Sequence, residues 1–302
     1  MKTHNHMLTP FNFAGLGKKR AQWSTAGVAV IPVPYDLTTS YRSGTRSGPL
    51  AIIEASTHME LFDDEINAEI ADVGICTLNL VEPVTSSPDK MISRVAGVVS
   101  SVIREDKFPV VLGGEHSITL GAVTALSSRF PDFGVVQLDA HADLRDQYQG
   151  SKYNHACIGR RISERFPLTQ IGIRSLCSEE HLFLENSGIS TYYSGDIYGN
   201  SSWIEPCVAN LPETIYITID LDVLDPSIMP SVGTPEPGGL LWYDVLYLLR
   251  TLAEKKTIIG FDIVELCPMP SNPAPDFLAA KLCYKLIGYC KQSSIASRQT
   301  PI

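Results

Sequence analysis

Phe133-Gly134-Val135-Val136-Gln137-Leu138 runs straight into Asp139-Ala140-His141-Ala142-Asp143, and the same pattern recurs where Ile215-Tyr216-Ile217-Thr218-Ile219 ends on Asp220-Leu221-Asp222. Each apolar run has the length and β-branched content of a buried strand. Side chains alternate along a strand, so residues at i and i+2 point the same way. Asp139, His141 and Asp143 can therefore project together, as can Asp220 and Asp222. Four carboxylates and an imidazole at the ends of two buried strands would repel and desolvate one another. A bound cation removes that conflict.

Working outward, strand and helix patterns alternate. Strands are expected at Gly27–Pro32, Pro109–Leu112, Thr169–Ile173 and Thr257–Ile263, besides the two that carry the acidic strings. Helices are expected from Gly48, from Pro88 behind a Ser87 cap, from Ser117, across Ala156–Phe166, around Ser178–Glu185, from Trp242 to about Glu254, and over Asp276–Tyr289. The helix from Pro88 places Met91, Ile92, Val95, Val98, Val99, Val102 and Ile103 at helical spacing. This alternation implies an α/β fold in three layers, an α/β/α sandwich with a central, mostly parallel sheet. Ligand sites in such sheets lie outside the carboxyl ends of the strands, where both acidic strings fall. One catalytic domain over 27–292 is expected, with an N-terminal tail or arm over 1–26 and a flexible tail over 293–302. His4 and His6 read as part of the first tail.

Composition narrows the function. The chain has 302 residues and a formal net charge of −9, with no basic cluster, which argues against nucleic acid. No apolar run is long enough to span a membrane, and residues 1–20 lack the long apolar stretch of a signal peptide. Seven scattered cysteines without a C-x-x-C pair fit reduced thiols and a cytoplasmic location.

Gly113-Gly114-Glu115-His116-Ser117 supplies a third corner, between an apolar strand and a periodic helix. His116 then joins the carboxyl edge of the sheet. The candidate ligands become His116, Asp139, His141, Asp143, Asp220 and Asp222. Six are too many for one catalytic ion with open positions and suit two ions with bridging carboxylates. Oxygen-rich donors with some imidazole and no thiolate favour Mn²⁺.

Taken in order, these three motifs resemble those of the ureohydrolases, the arginase–agmatinase family, and the similarity runs from about Val28 to about Tyr289. The resemblance implies an arginase/deacetylase-like sandwich, two Mn²⁺ per subunit and hydrolysis of a guanidinium to urea and an amine by a hydroxide bridging the metals. It implies that His116 and Asp143 hold one ion, His141 and Asp222 the other, and that Asp139 and Asp220 bridge. Asp143 is also similar to the residue that hydrogen-bonds the hydroxide. His155, in Tyr153-Asn154-His155-Ala156, occupies the place of the proton-shuttling histidine, with a pKa expected near the ordinary 6.5 or so. Glu265, in Phe261-Asp262-Ile263-Val264-Glu265, matches the carboxylate that grips the guanidinium. The family commonly forms trimers or hexamers.

The remaining loops point to the agmatinase branch. Gly233-Thr234-Pro235-Glu236-Pro237-Gly238-Gly239-Leu240 and Ser40-Tyr41-Arg42-Ser43-Gly44-Thr45-Arg46-Ser47-Gly48-Pro49 are similar to agmatinases. Arg145 stands where arginases place an asparagine for the α-carboxylate, and Cys177 lies near their α-amino aspartate. A small cationic guanidino substrate without an amino-acid head, such as agmatine, fits, with putrescine and urea as products. Arg145 is expected in solvent; facing the pocket it would favour a carboxylate, as in 4-guanidinobutyrate. Arg160 and Arg161 are expected to face solvent or a neighbouring subunit. Arginine or free guanidine, a single-zinc deacetylase-like amidohydrolase and a non-catalytic relative are the alternatives. The complete six-residue set weighs against the last two.

Overall fold

A computed structural model describes residues 10–299. The strands are β1 (Val28–Val33), β2 (Phe62–Asp63), β3 (Ala68–Glu69), β4 (Ile75–Thr77), β5 (Phe108–Gly113), β6 (Gly134–Leu138), β7 (Leu168–Ile173), β8 (Ser190–Tyr193), β9 (Thr214–Asp220) and β10 (Thr257–Val264). The helices are α1 (Lys18–Ala21), α2 (Gly48–Ser56), α3 (Pro88–Arg104), α4 (Thr119–Leu126), α5 (Ile158–Ser163), α6 (Ser178–Ser187), α7 (Ser194–Ile197), α8 (Ile204–Asn210), α9 (Trp242–Lys255) and α10 (Ala274–Gln299).

Eight strands form one parallel sheet in the order β4-β1-β5-β10-β9-β6-β7-β8, and β2–β3 is a separate antiparallel hairpin. Alternation along each strand feeds two cores. Val28, Val30, Val110, Leu112, Ile217 and Ile219 pack under α2, α8, α9 and α10. Ala29, Ile31, Val33, Val111 and Val135 pack under α3, α4 and α5 on the other face. The expected three-layer α/β/α sandwich is therefore the fold, and the four central strands β5, β10, β9 and β6 all end on the same edge. No helix among the described residues is long and apolar enough to cross a membrane.

Several elements differ from the sequence expectation. The Ser87 side chain makes no cap bond to α3, although Pro88 does start it. The segment expected as one helix over Ala156–Phe166 divides into a 3₁₀ turn, His155–Cys157, and the short α5. The edge strands β4 and β8 and the helix α8 were not anticipated, because short edge strands carry little apolar periodicity. The last helix runs on to Gln299, into the segment expected as a flexible tail. Near the N-terminus Phe13 and Leu16 are buried, and Phe13 N–H donates to Thr77 Oγ1 at 2.9 Å. That part of the expected tail is held by burial of an aromatic ring. His4 and His6 lie outside the described residues.

The hairpin is latched to α10 by a buried ion pair. Lys285 Nζ meets Asp63 Oδ2 at 2.8 Å and Glu65 Oε2 at 3.0 Å, with Lys285 and Asp63 both buried. Arg250 Nη1 and Tyr289 Oη also donate to Glu65, each at 2.6 Å. Removing one partner of a buried pair leaves the other charge unpaired, at a cost of about 3–5 kcal/mol. Lys285→Met is therefore expected to destabilise the fold by that amount in urea titrations. Loss of less than about 1 kcal/mol, the worth of a surface pair, would show the latch to be unimportant.

Candidate metal centre and active-site pocket

The six candidate ligands converge where β5, β6 and β9 end. Asp139 follows β6, Asp220 closes β9, and Asp222 lies in the 3₁₀ turn Leu221–Val223. His116 opens the turn after β5. Gly114 makes that corner possible, since a Cβ there would overlap the Tyr35 carbonyl oxygen. His116, Asp139 and Asp220 form one cluster and Asp139, His141 and Asp222 a second, so Asp139 belongs to both. Asp220 falls in the first cluster only. His116 Nδ1 lies 3.1 Å from Asp139 Oδ2, 3.3 Å from Asp220 Oδ2 and 3.4 Å from Asp143 Oδ2. His141 Nδ1 lies 2.8 Å from Asp222 Oδ2 and 3.7 Å from Asp139 Oδ1.

Backbone donors aim the carboxylates. Asp139 Oδ1 accepts from His141 N–H at 2.6 Å, Asp220 Oδ1 from Asp222 N–H at 2.9 Å, and Asp222 Oδ1 from Ala140 N–H at 3.0 Å. Each of these leaves its other oxygen facing an imidazole. Gln137, which the sequence reading passed over, donates to Asp139 Oδ2 at 2.7 Å. Asp143 has φ 53° and Glu265 φ 65°, both left-handed for residues with a side chain. Such strain persists only where surrounding structure fixes it, and it gathers at functional sites.

An outer chain of hydroxyls sets the His116 ring. Tyr216 Oη and Thr218 Oγ1 donate to the buried Asp262 carboxylate at 2.7 and 2.6 Å. With its proton committed, Thr218 Oγ1 accepts from His116 Nε2, 2.8 Å away. His116 Nδ1 is then the ring nitrogen turned inward, buried and facing three carboxylate oxygens, a position that only a proton or a metal ion can occupy. Lone pairs facing lone pairs need a cation between them, so this donor set fits a divalent metal.

The electrostatics agree. Burial, and then the charge of Asp139, push Asp143 up to about 7. Burial and neighbouring carboxylates push Asp220 well above the usual range. Asp222, despite burial, is drawn down to about 2 by His141. Burial works against protonation of His141, yet Asp222 and Asp139 raise it to about 11. Protons therefore occupy this site until a metal displaces them.

The clusters open into a cavity of about 260 Å³ whose walls include His141, Asp143, His155, Asp220, Asp222 and Glu265. Glu265 Oε1 accepts from His116 N–H at 2.7 Å, which leaves Oε2 and a second lone pair on Oε1 for a ligand. His155 departs from its expected titration. Burial first, then the nearby positive histidines, push it down to about 4, so its imidazole is neutral at neutral pH.

Arg145 corrects the sequence reading. It does not stand free in solvent but lines the cavity, its guanidinium 4.8 Å from the Tyr148 ring. Its backbone N–H donates to Ala156 O at 3.3 Å. Arg42, Cys177 and Glu180 also line the cavity. Arg161 is buried against Asp146 and Glu164, at 2.8 and 2.9 Å, and so does not face solvent, while the half-buried Arg160 stacks on Phe183 at 3.6 Å. Arg174 spans Asp222 O and Glu236 O, at 2.6 and 2.8 Å, tying the second acidic string to the Pro-Glu-Pro loop. Its signal was a lone arginine one residue beyond β7.

Known proteins are similar in sequence and in fold. The sequence matches the arginase family over residues 26–288. It is 40% identical over 279 residues to the N(1)-aminopropylagmatine ureohydrolase of Synechocystis sp., covering 90% of this chain and 91% of that protein. It is 37% identical to the agmatinase of Pyrococcus horikoshii, covering 87% and 92%. The solved agmatine ureohydrolase of Thermoplasma volcanium superposes with a TM-score of 0.87 at 35% identity, over 97% of this chain and 98% of that one.

Two outcomes follow for the metal site. Thr218→Val, which frees the His116 ring, should weaken Mn²⁺ binding by about 10–100-fold in calorimetric titration. An unchanged affinity would mean that the outer chain does not set the ring. Because Asp143 near 7 and the raised histidines must lose protons to bind, Mn²⁺ affinity should rise from pH 6 to pH 8. Protons should be released, measured as a dependence of the binding heat on buffer ionisation.

Proposed function

From the premise that this chain belongs to the arginase family, as a hydrolase of guanidino C–N bonds, we propose that it cleaves agmatine or its N(1)-aminopropyl derivative with two Mn²⁺ ions. The products are urea and putrescine, or urea and the aminopropyl amine. The observation that carries this reading is the single cavity onto which both histidine–carboxylate clusters, His155 and Glu265 open.

The guanidinium carbon is a poor electrophile because resonance spreads its charge, so it needs a strong nucleophile. Two divalent cations, when bound, supply one by lowering the pKa of water from 15.7 towards about 7. The chain's own groups do the rest. Glu265 accepts paired N–H bonds from the planar cation and fixes its plane. Arrival of that cation favours the ionised form of a carboxyl which burial, and then Glu115, otherwise push up. Neutral His155 takes a proton from the attacking water and hands it to the leaving nitrogen, without which the tetrahedral intermediate cannot expel an amine. Mn²⁺ is supported by a donor set of carboxylates and imidazoles without thiolate.

The larger substrate is favoured by the Synechocystis relative, whose name carries it. A second reading rests on Arg42 and Arg145. Both line the cavity and neither pairs with a carboxylate among the described residues, which would suit a guanidino compound ending in an anion, such as 4-guanidinobutyrate. A homotrimer or homohexamer belongs to the same proposal, supported by the exposed Leu241 and Tyr243 at the start of α9. So does a cytoplasmic location, supported by seven free cysteines.

Urea release with added Mn²⁺ should rank N(1)-aminopropylagmatine and agmatine above 4-guanidinobutyrate, with arginine last, in kcat/KM. A reversed order with 4-guanidinobutyrate first would establish the second reading, and no urea from any of them would refute both. His155→Asn should lower kcat by about 10²–10⁴-fold with little change in KM.

A further inference from the structure

We propose that Glu115 and Thr38 are positioning residues that fix His155 in its Nδ1–H form and leave Nε2 as the bare nitrogen facing the cavity. The inference deepens the role given to His155 above and rests on it. Glu115 is the third residue of the Gly-Gly-Glu-His-Ser corner and is fully buried, yet it belongs to neither histidine–carboxylate cluster.

Its carboxylate is a collector of donors. Thr38 N–H donates to Oε2 at 2.5 Å, Thr38 Oγ1 to Oε1 at 2.8 Å, and Ser117 Oγ to Oε1 at 2.5 Å. Thr38 has one hydroxyl proton and two lone pairs. Burial pushes the Glu115 carboxyl up, but the three donors of Thr38 and Ser117 that converge on its two oxygens oppose that and favour the ionised form. The hydroxyl proton between the two oxygens 2.8 Å apart is therefore Thr38's own. Both lone pairs of Thr38 Oγ1 are left to accept. One takes the backbone N–H of His155 at 3.0 Å, and the other faces His155 Nδ1 at 3.1 Å. An acceptor opposite Nδ1 requires a hydrogen on Nδ1. A neutral imidazole carries only one, so Nε2 holds the lone pair.

That polarity is the one proton transfer requires. Nε2 gains a proton from the attacking water, the ring becomes an imidazolium, and the same proton passes to the leaving nitrogen. The ring returns to its starting form with nothing consumed. Nδ1 keeps its hydrogen throughout, held by Thr38. With the opposite tautomer Nε2 would carry a hydrogen at the start and could accept none. Two further bonds hold the corner. Glu115 N–H donates to Tyr35 O at 2.7 Å, and Asn154 Oδ1 accepts from Ala156 N–H at 3.0 Å, fixing the turn that carries His155.

The test uses the full-length, Mn²⁺-loaded enzyme. Thr38→Val removes the acceptor, and Glu115→Gln turns the accepting oxygen into an amide donor that reverses the Thr38 hydroxyl. Each should lower kcat by about 10²-fold, with KM within about threefold and bound metal unchanged. Thr38→Ser keeps the hydroxyl and should stay within about threefold of the parent. The double variant Thr38→Val/His155→Asn should be no slower than His155→Asn alone, because both substitutions remove one function. Glu115→Gln carries the prediction by itself where Thr38→Val does not fold. Parent-like kcat in Thr38→Val or Glu115→Gln beside an inactive His155→Asn overturns the positioning role. Additive losses in the double variant overturn it as well. An active His155→Asn would instead remove the role of His155 in proton transfer.

Discussion

The rest of this molecule depends on the mutual repulsion of carboxylates buried at the ends of β6 and β9. Asp139, Asp143, Asp220 and Asp222 are all nearly inaccessible to solvent, and their unbonded oxygens turn inward upon two imidazoles. At the dielectric of a protein interior, like charges at such distances cost several kcal/mol unless protons or cations lie between them. Backbone N–H groups of Ala140, His141 and Asp222 hold three of these carboxylates in place, so the chain cannot relieve the repulsion by turning them away. Stability here is given up in exchange for a preformed cation site.

The backbone bears part of that load. Asp143 and Glu265 adopt left-handed conformations that side chains rarely take, and Gly114 brings the β5 corner against Tyr35 where no Cβ fits. These three positions follow β6, β10 and β5, which all end on the same edge of the sheet. Strain concentrated at one edge is tolerable because the strands leading to it are buried on both faces by separate apolar cores. The sheet supplies the rigidity, and the edge uses it.

Legibility in the sequence followed the same division. The central strands could be read because burial on both faces demands continuous apolar runs, and the acidic strings because alternation puts i and i+2 on one side. The edge strands β4 and β8 are too short to carry either signal. Arg145 could not be placed from spacing, since its position depends on a bond between its backbone N–H and Ala156 O. Likewise Glu115 stood in a quoted motif without a function, because its partner Thr38 is 77 residues away in the chain. Gln137, Thr218 and Asp262 looked like ordinary strand residues. Their polarity inside buried strands was the signal: a buried polar group needs a partner, and each of these finds one at or next to a candidate ligand.

That last point joins the two histidines of the Gly113–Ser117 and Tyr153–Ala156 corners. His116 hands its Nε2 hydrogen to a threonine whose proton is committed to Asp262, and His155 hands its Nδ1 hydrogen to a threonine whose proton is committed to Glu115. The device is the same, a buried carboxylate polarising a threonine that polarises an imidazole, yet the outcomes are opposite. It turns Nδ1 of His116 towards the carboxylates and bares Nε2 of His155 towards the cavity. A direct carboxylate partner would stabilise the imidazolium and pull each ring towards permanent charge. Placing a hydroxyl between fixes each tautomer, and at His155, where no carboxylate among the described residues touches the ring, it spares the imidazole that pull, as a reversible proton carrier needs.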